Sequence, residues 1–298
     1  MKNSNVILFQ THIITKDILH EFQKIFTATE GYADTYLLYD DKGMTVPNEV
    51  EKLKYFSFNK KTISQLNYPM VIDEKIVSQF PNIKAIHHVQ NQLGLINFYL
   101  ENQHYKFYWF IEYDVRYSGN WEEFFKCFDD KNKSDLLTAQ IRFYNEEPEW
   151  NLWYLNHPVY SIDESKRIAS FNTIMRLSNE ALKFLHDSLS DGWAGHLEVL
   201  IPTLLHKKPF ILEDFGGVGK FCRQENINKH YIGSDYSKSL IDVGTMRYRM
   251  HMFYVGFYKN KLYHPVKPIK DRIRYLLKKL KKKIANILNY FTTSAPST

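Results

Sequence analysis

Three stretches of this 298-residue chain carry side chains whose types and spacing suit chemistry. The first is Tyr108-Trp109-Phe110-Ile111-Glu112-Tyr113-Asp114-Val115-Arg116-Tyr117, an apolar strand ending in two carboxylates one residue apart. Residues i and i+2 of an extended chain point the same way, so Glu112 and Asp114 are expected to converge on one ion or one ribose. Hard oxygen ligands of this kind suit Mg²⁺ or Mn²⁺ carrying a diphosphate. The alternative is a strand end that reaches water, with Asp114 paired to Arg116. The second stretch is Asp191-Gly192-Trp193-Ala194-Gly195-His196-Leu197-Glu198. Its glycines allow a tight turn, and a helix starting near His196 puts Glu198 in its first turn. There the carboxylate either faces the mouth of a pocket or simply favours the positive end of the helix dipole. The third is Tyr263-His264-Pro265-Val266-Lys267, with Lys261 just before it. Its plain reading is a solvated basic segment.

The elements that must position these residues are legible as hydrophobic periodicity. Short strands are expected over residues 5–10, 35–39, 55–58, 105–113 and 136–143. Helices are expected over 16–27, 82–101 and 120–128. This alternation predicts an α/β sandwich with a mostly parallel sheet. Ligands in such sheets bind beyond the carboxyl ends of the strands, which directs attention to His12, Asp40, Asp41 and the residues after Ile111. Farther on, residues 146–156 read as an ordered Trp-rich loop and 170–176 as a strand ending in Arg176. Ser178 is placed to cap a helix reaching about residue 189. Another helix runs from about 196 to 205, and residues 207–261 are mostly loops.

The acid-x-acid strand end, the acidic end of the second strand and the first strand near the N-terminus together resemble GT-A glycosyltransferases. The fuller string Glu112-Tyr113-Asp114-Val115-Arg116-Tyr117-Ser118-Gly119, with Tyr263-His264-Pro265-Val266-Lys267, is similar to little-characterised glycosyltransferases of bacterial surface polysaccharide synthesis. The resemblance implies a GT-A-like, Rossmann-like α/β/α sandwich over residues 1–266. Residues 1–145 would be its nucleotide-sugar half and 146–266 its acceptor half. It implies that Glu112 and Asp114 hold Mn²⁺ or Mg²⁺ and the donor. The usual pair is Asp-x-Asp; here it is Glu-x-Asp followed by Arg116, and basic side chains replace the metal in some members. His12, Asp40, Asp41 and Arg116 are further donor-side candidates. His264 and Lys267 would meet the diphosphate, where negative charge develops as the sugar leaves. Glu198, with Asp191 second, would be the general base of an inverting transfer. Trp193 is placed to stack on an acceptor sugar, and Arg176 to touch phosphate or acceptor.

Several look-alikes fail on spacing. In Gly216-Gly217-Val218-Gly219-Lys220-Phe221 a Walker loop needs Gly where Asp214 stands and Ser or Thr where Phe221 stands. The dinucleotide pattern fails at Cys222. A flexible acceptor-side loop is the better reading. Asp214-Phe215-Gly216 has no His-Arg-Asp catalytic loop before it, and His87-His88 lacks a partner at metalloprotease spacing.

Composition excludes other classes. Charged residues at 24% and apolar residues at 44% are ordinary for a globular chain. Two cysteines, Cys127 and Cys222, make neither a disulfide framework nor a four-Cys zinc site, which points to a reducing compartment. No secretory leader or spanning segment is apparent. The net charge of +6 is concentrated in the tail: residues 267–283 hold nine basic residues and Asp271, a net of +8. Residues 1–266 are thereby left at −2. Ile269, Ile273, Leu276, Leu277, Leu280, Ile284, Ile287, Leu288 and Phe291 recur at helical spacing. A basic amphipathic helix of this kind predicts attachment of residues 267–291 to an anionic membrane surface. Packing on the chain's own core and nucleic-acid binding are the alternatives, and no aromatic-basic RNA signature supports the latter.

The expectation is therefore a hexosyl- or N-acetylhexosaminyl-type glycosyltransferase, peripheral on the inner face of the cytoplasmic membrane. Its partners would be a nucleotide-sugar and a glycan or glycolipid acceptor, as in lipopolysaccharide or capsule synthesis, with no nucleic acid. A non-catalytic membrane-associated scaffold of a polysaccharide assembly complex is the competing reading.

Overall fold

A seven-stranded sheet forms the centre of the molecule in the computed structural model, which describes residues 3–69, 87–128, 132–233, 244–248, 252 and 254–293. In chain order its strands are β1 (Asn5–Thr11), β2 (Ala33–Asp40), β3 (Tyr55–Phe58), β4 (Phe107–Glu112), β6 (Leu136–Phe143), β8 (Ile168–Ser178) and β10 (Leu212–Asp214). Short two-stranded pairs are added by β5 (Arg116–Tyr117) with β11 (Leu262–Tyr263), and by β7 (Leu155–Asn156) with β9 (Ala194–Gly195). The spatial order is β3-β2-β1-β4-β8-β6-β10. All strands run parallel except β8, which is antiparallel to both neighbours. This is the mostly parallel α/β/α sandwich that the alternating pattern predicts. Residues on both sides of position 145 contribute strands to the one sheet.

The helices are α1 (Lys16–Ala28), α2 (Asn48–Glu51), α3 (Lys60–Ser64), α4 (His87–Glu101), α5 (Trp121–Lys126), α6 (Asn179–Asp191), α7 (Leu197–His206) and α8 (Ile269–Thr293). The start of α4 expected at residue 82, and the side chains of His87 and His88, lie outside the described residues. A strand covered on both faces reads as a near-continuous apolar run, as β1 does over residues 6–9 and β4 over residues 107–111. Val6, Leu8, Tyr108 and Phe110 join the core beneath α4, α6 and α7. Ile7, Phe9, Trp109 and Ile111 join the opposite core, with Ile18 and Phe22 of α1 and Phe124 and Phe125 of α5. Thr15 caps α1 and Ser178 caps α6, each accepting from a backbone N–H three residues on. β8 is longer than the expected 170–176 because its apolar pattern continues through Ile168 and Leu177 into that cap.

One expectation changes. The Gly-rich turn after β10 is not a loose loop. Asp214 Oδ1 accepts from Gly216 N (3.0 Å), Gly217 N (2.9 Å) and the Tyr231 hydroxyl (2.8 Å), while Oδ2 accepts from Ile141 N (3.1 Å). One buried carboxylate thus ties the turn to β6. The tail forms the expected helix, but its apolar side does not pack on the domain among the described residues. Ile269, Ile273, Leu276, Leu277, Leu280 and Ile284 are each 48–58% exposed. No helix among the described residues is long and apolar enough to cross a membrane.

Removing the Asp214 carboxylate leaves four donors without their acceptor, each buried donor being worth roughly 1–3 kcal/mol. Asp214→Ala is expected to lose about 3 kcal/mol or more in urea unfolding, and Tyr231→Phe only about 1 kcal/mol. Equal losses would show that the tie lies elsewhere.

Candidate active site

Strands β1, β2 and β4 end level with one another, Gln10 lying beside Glu112 and Thr11 beside Tyr39. The chain beyond their carboxyl ends supplies His12, Asp40 and the Glu112–Asp114 pair. These carboxylates do converge, through a turn rather than an extended strand. Val115 N donates to Glu112 O at 3.0 Å, and Asp114 folds inward until it is fully buried.

A segment from much later in the chain crosses this turn. β11 pairs with β5, Ser118 N donates to Lys261 O (2.9 Å), and Val266 N donates to Asp114 O (2.8 Å). The strap delivers two basic side chains to Asp114. His264 Nε2 lies 3.4 Å from Asp114 Oδ2 and 3.9 Å from Glu112 Oε2. His264 Nδ1 is 2.7 Å from Arg247 O, and because a carbonyl only accepts, Nδ1 carries a proton. Lys267 Nζ pairs with Asp114 Oδ2. It also donates to the Tyr113 hydroxyl at 3.0 Å and sits 4.7 Å from the centre of that ring. Burial alone would raise the Asp114 pKa, but the charges of His264 and Lys267 outweigh it and hold the group well below the usual carboxylate range.

One ligand atom from each of Glu112, Asp114 and His264 falls within 4.8 Å of the others. Two observations fit them to a divalent cation. Both Asp114 oxygens are buried, and the contacts of Oδ2 are with the side-chain nitrogens of His264 and Lys267 rather than with fixed backbone donors. The His264 ring is held by Nδ1–H on a backbone carbonyl, the support that commonly leaves Nε2 to a metal. Carboxylates are the majority of the set and suit Mn²⁺ or Mg²⁺.

Glu198 forms a second wall. From the first turn of α7 it reaches back to β8, where Asn172 N donates to Oε1 at 3.4 Å; His196 Nδ1 is 3.7 Å from Oε2. Burial pushes its carboxyl up to about 8, against the opposing pull of Arg142, and the negative charge of Glu112 adds to the rise. Arg142 is fully buried on β6. It is fixed by Glu147 (2.6 Å), Gln140 O (3.2 Å) and the Tyr248 hydroxyl (3.3 Å), with Trp150 4.7 Å from its guanidinium. The pairing of β6 with β8 slips on either side of Ala139, and Gln140 takes φ +53°. Irregularities of this kind re-aim side chains next to functional sites. A ring path joins the two walls: Tyr248 lies 4.1 Å from Phe171, which lies 5.0 Å from His264.

The remaining candidates are placed as follows. His12 sits on the rim, edge-on to Tyr113 at 5.2 Å. Burial, Lys42 and Lys267 lower its pKa, with Asp40 and Asp114 opposing. Asp40 accepts from Lys42 N (3.0 Å) at the same edge. Asp41 is turned into its own loop, accepting from Gly43 N (2.6 Å) and Asn59 Nδ2 (2.9 Å). Arg116 is not a donor contact or the partner of Asp114. Its Nη1 donates to Tyr113 O (2.6 Å) and Val115 O (2.8 Å), and its Nε faces buried Glu21 on α1 at 3.6 Å. Arg176 is also corrected: mid-sheet and buried, it donates to Phe128 O, Asn132 Oδ1 (2.8 Å) and Ser134 O (3.0 Å), anchoring residues 128–134. Asp191 and Trp193 gather around His157, whose Nε2 is 2.9 Å from Asp191 O and whose ring is 4.9 Å from Trp193. Lys261 Nζ donates to Lys229 O (2.7 Å). Sequence reasoning missed Arg142, Trp150, Tyr248 and Tyr113. An arginine inside a strand of the sheet core was the available signal for the first.

No protein-family model matches the sequence, and no curated protein matches it. Among solved structures the chain is similar to mouse xyloside xylosyltransferase 1 in its apo form, at 11% identity and a TM-score of 0.35, covering 74% of this chain and 89% of that one. It is similar to core-mannan synthase A of Aspergillus fumigatus in an Mn/GDP form, at 11% identity and a TM-score of 0.36, over 72% and 73%. It is also similar to HddC of Yersinia pseudotuberculosis complexed with GMP-PN, at 12% identity and a TM-score of 0.35, over 72% and 90%. Likenesses this distant assign no activity and no residue role.

The raised pKa of Glu198 has a consequence for stability. Above the ordinary glutamate range the unfolded chain releases this proton while the folded protein keeps it, so stability falls as pH rises until the folded group titrates near 8. Glu198→Gln removes that dependence. Its melting temperature is expected to gain on the wild type steadily from pH 5 to about pH 8. A difference that stays constant with pH would show that Glu198 is ionised throughout.

Proposed function

We propose that the protein is a glycosyltransferase that moves a hexosyl or N-acetylhexosaminyl group from a nucleotide-sugar to a lipid-linked or surface glycan. The observation that carries this reading is the meeting, at the carboxyl edge of a parallel sheet, of a buried cation-binding cluster with an opposed carboxyl of raised pKa. Glu112, Asp114 and His264 would hold Mn²⁺ or Mg²⁺, which when bound would neutralise a donor diphosphate. Lys267 supplies positive charge where the leaving nucleoside diphosphate becomes more negative. Glu198 takes the proton of the acceptor hydroxyl as that oxygen attacks the anomeric carbon. The bond from that carbon to the diphosphate breaks in the same displacement, so the anomeric configuration inverts. His12 and Asp40 lie on the rim nearest the strand ends and suit the nucleoside portion. Trp150 and Tyr248 offer rings beside Arg142 for a sugar.

Purified protein is expected to turn over at least one nucleotide-sugar in a panel of UDP, GDP and CDP sugars assayed with and without Mn²⁺. Transfer should rise with pH to a plateau above about 8, because the base must be deprotonated. Glu198→Gln should lower it by roughly 10²–10⁴-fold while the fold is kept. No turnover, together with no rise in melting temperature on adding any nucleoside diphosphate, would favour the scaffold reading instead.

The tail suits an acceptor that resides in a membrane. Its exposed apolar row is flanked by basic residues, with Asp271 the single acid among residues 267–283, and that pattern complements an anionic lipid surface on the cytoplasmic side. Leu276→Gln, Leu277→Gln and Leu280→Gln combined should abolish co-sedimentation with phosphatidylglycerol vesicles without changing the melting temperature. Undiminished binding by the triple variant would remove the tail from the assignment.

A further inference from the structure

We infer that Lys267 is a displaceable counter-ion: its ammonium and a divalent cation compete for Asp114, and the ion's arrival frees Lys267 for the phosphates of the donor. The inference rests on the proposed role of the cluster as a donor site. It starts from the burial of Asp114. A carboxylate fully removed from water must keep a cationic partner, or the group becomes strongly destabilising. Two groups serve it, and they differ in mobility. His264 is buried and pinned by Arg247 O at 2.7 Å, so its Nε2 keeps its place between Asp114 and Glu112. Lys267 has 28% of its side chain exposed and a flexible four-carbon stem.

Lys267 Nζ contacts Asp114 Oδ2, the oxygen that also faces His264 Nε2 at 3.4 Å. An ion shared by Glu112, Asp114 and His264 would therefore sit beside the ammonium, and like charges at contact repel strongly in a buried setting. The Tyr113 hydroxyl at 3.0 Å and its ring at 4.7 Å give the ammonium a second foothold toward the rim, on the side where His12 packs against the same ring. The lysine can therefore leave Asp114 without leaving the site. A diphosphate arriving with the ion restores the balance, because its negative charge accepts the released ammonium. Lys267 stays an ammonium throughout, and an ion taking His264 Nε2 displaces to solvent the proton that a charged His264 carries there. Ion and nucleotide should consequently bind synergistically, each removing part of what opposes the other.

The test is Mn²⁺ affinity of the intact chain, read as free Mn²⁺ by electron paramagnetic resonance, for wild type, Lys267→Met and Lys267→Arg. Without nucleotide, Lys267→Met is expected to bind Mn²⁺ at least roughly tenfold more tightly than wild type, the effect of removing a like charge worth ~1.4 kcal/mol. Lys267→Arg should stay near wild type. Adding UDP or GDP should tighten Mn²⁺ binding markedly in wild type and much less in Lys267→Met. An affinity in Lys267→Met equal to or weaker than wild type overturns the inference. Should Lys267→Met fail to fold by circular dichroism, the wild type with ¹³C-methylated lysines decides. The Lys267 resonance is expected to shift on adding Mg²⁺, and an unmoved resonance overturns the inference. Competition seen without any sugar transfer overturns the proposed function alone. Transfer with no Mn²⁺ binding overturns the counter-ion exchange alone.

Discussion

Burial of the Asp114 carboxylate sets the terms for the whole carboxyl edge of the sheet. A lone buried charge is costly enough to destabilise a domain, so the fold must bring it cations. They come from the strap that holds His264 and Lys267, far along the chain. Lys267 is 154 residues beyond Tyr113, its other partner. The β5–β11 pair, the bond from Val266 N to Asp114 O and the bond from Lys261 Nζ to Lys229 O all hold that strap in place. A purely structural ion pair would be a weak source of stability. This one gains meaning from Glu112, whose carboxylate joins the same histidine and leaves the cluster rich in acceptor oxygens.

The opposite wall depends on the one strand that runs against the others. β8 lies between β4 and β6 and presents Phe171 and Asn172 toward the same edge as Glu112. Asn172 N holds Glu198, and Phe171 spaces His264 from Tyr248. The slip in β6 and the left-handed Gln140 then turn Arg142 to the Glu198 side. Gln140 is held in this conformation from two sides: its backbone N donates to Tyr231 OH at 2.9 Å, and its side-chain amide donates to Met246 O at 2.7 Å. Local strain is therefore supported by the same Tyr231 that bonds Asp214.

Most of the scaffold was legible because periodicity is a local property. The residues 55–58 and 136–143 read as strands are the strands β3 and β6, and α1 and α7 differ from expectation by a residue or so at their ends. The Glu112–Asp114 pair, His264, Lys267 and Glu198 were legible by type and by position after an element. Their convergence was not, since it depends on a turn and a strap that no spacing encodes. Arg116 and Arg176 were misplaced for one reason. An arginine near a strand end suggests an anion, but here the unmet needs were the backbone carbonyls of Tyr113, Val115, Phe128 and Ser134 and the buried carboxylate of Glu21. Arg142 was visible by type within β6, but the slip in pairing that re-aims it was not.

The strap also fixes an order of assembly. Most sheet contacts join elements between residues 5 and 214, so a chain emerging from the ribosome holds what it needs for the sheet, α7 and Glu198 well before residue 264 exists. Throughout that interval Asp114 has neither of its cations. The carboxyl edge must therefore stay open to water, or keep Asp114 protonated, until the last segment arrives and closes over it. The site is thus completed by a segment that forms no part of the seven-stranded sheet and that leads directly into the basic helix.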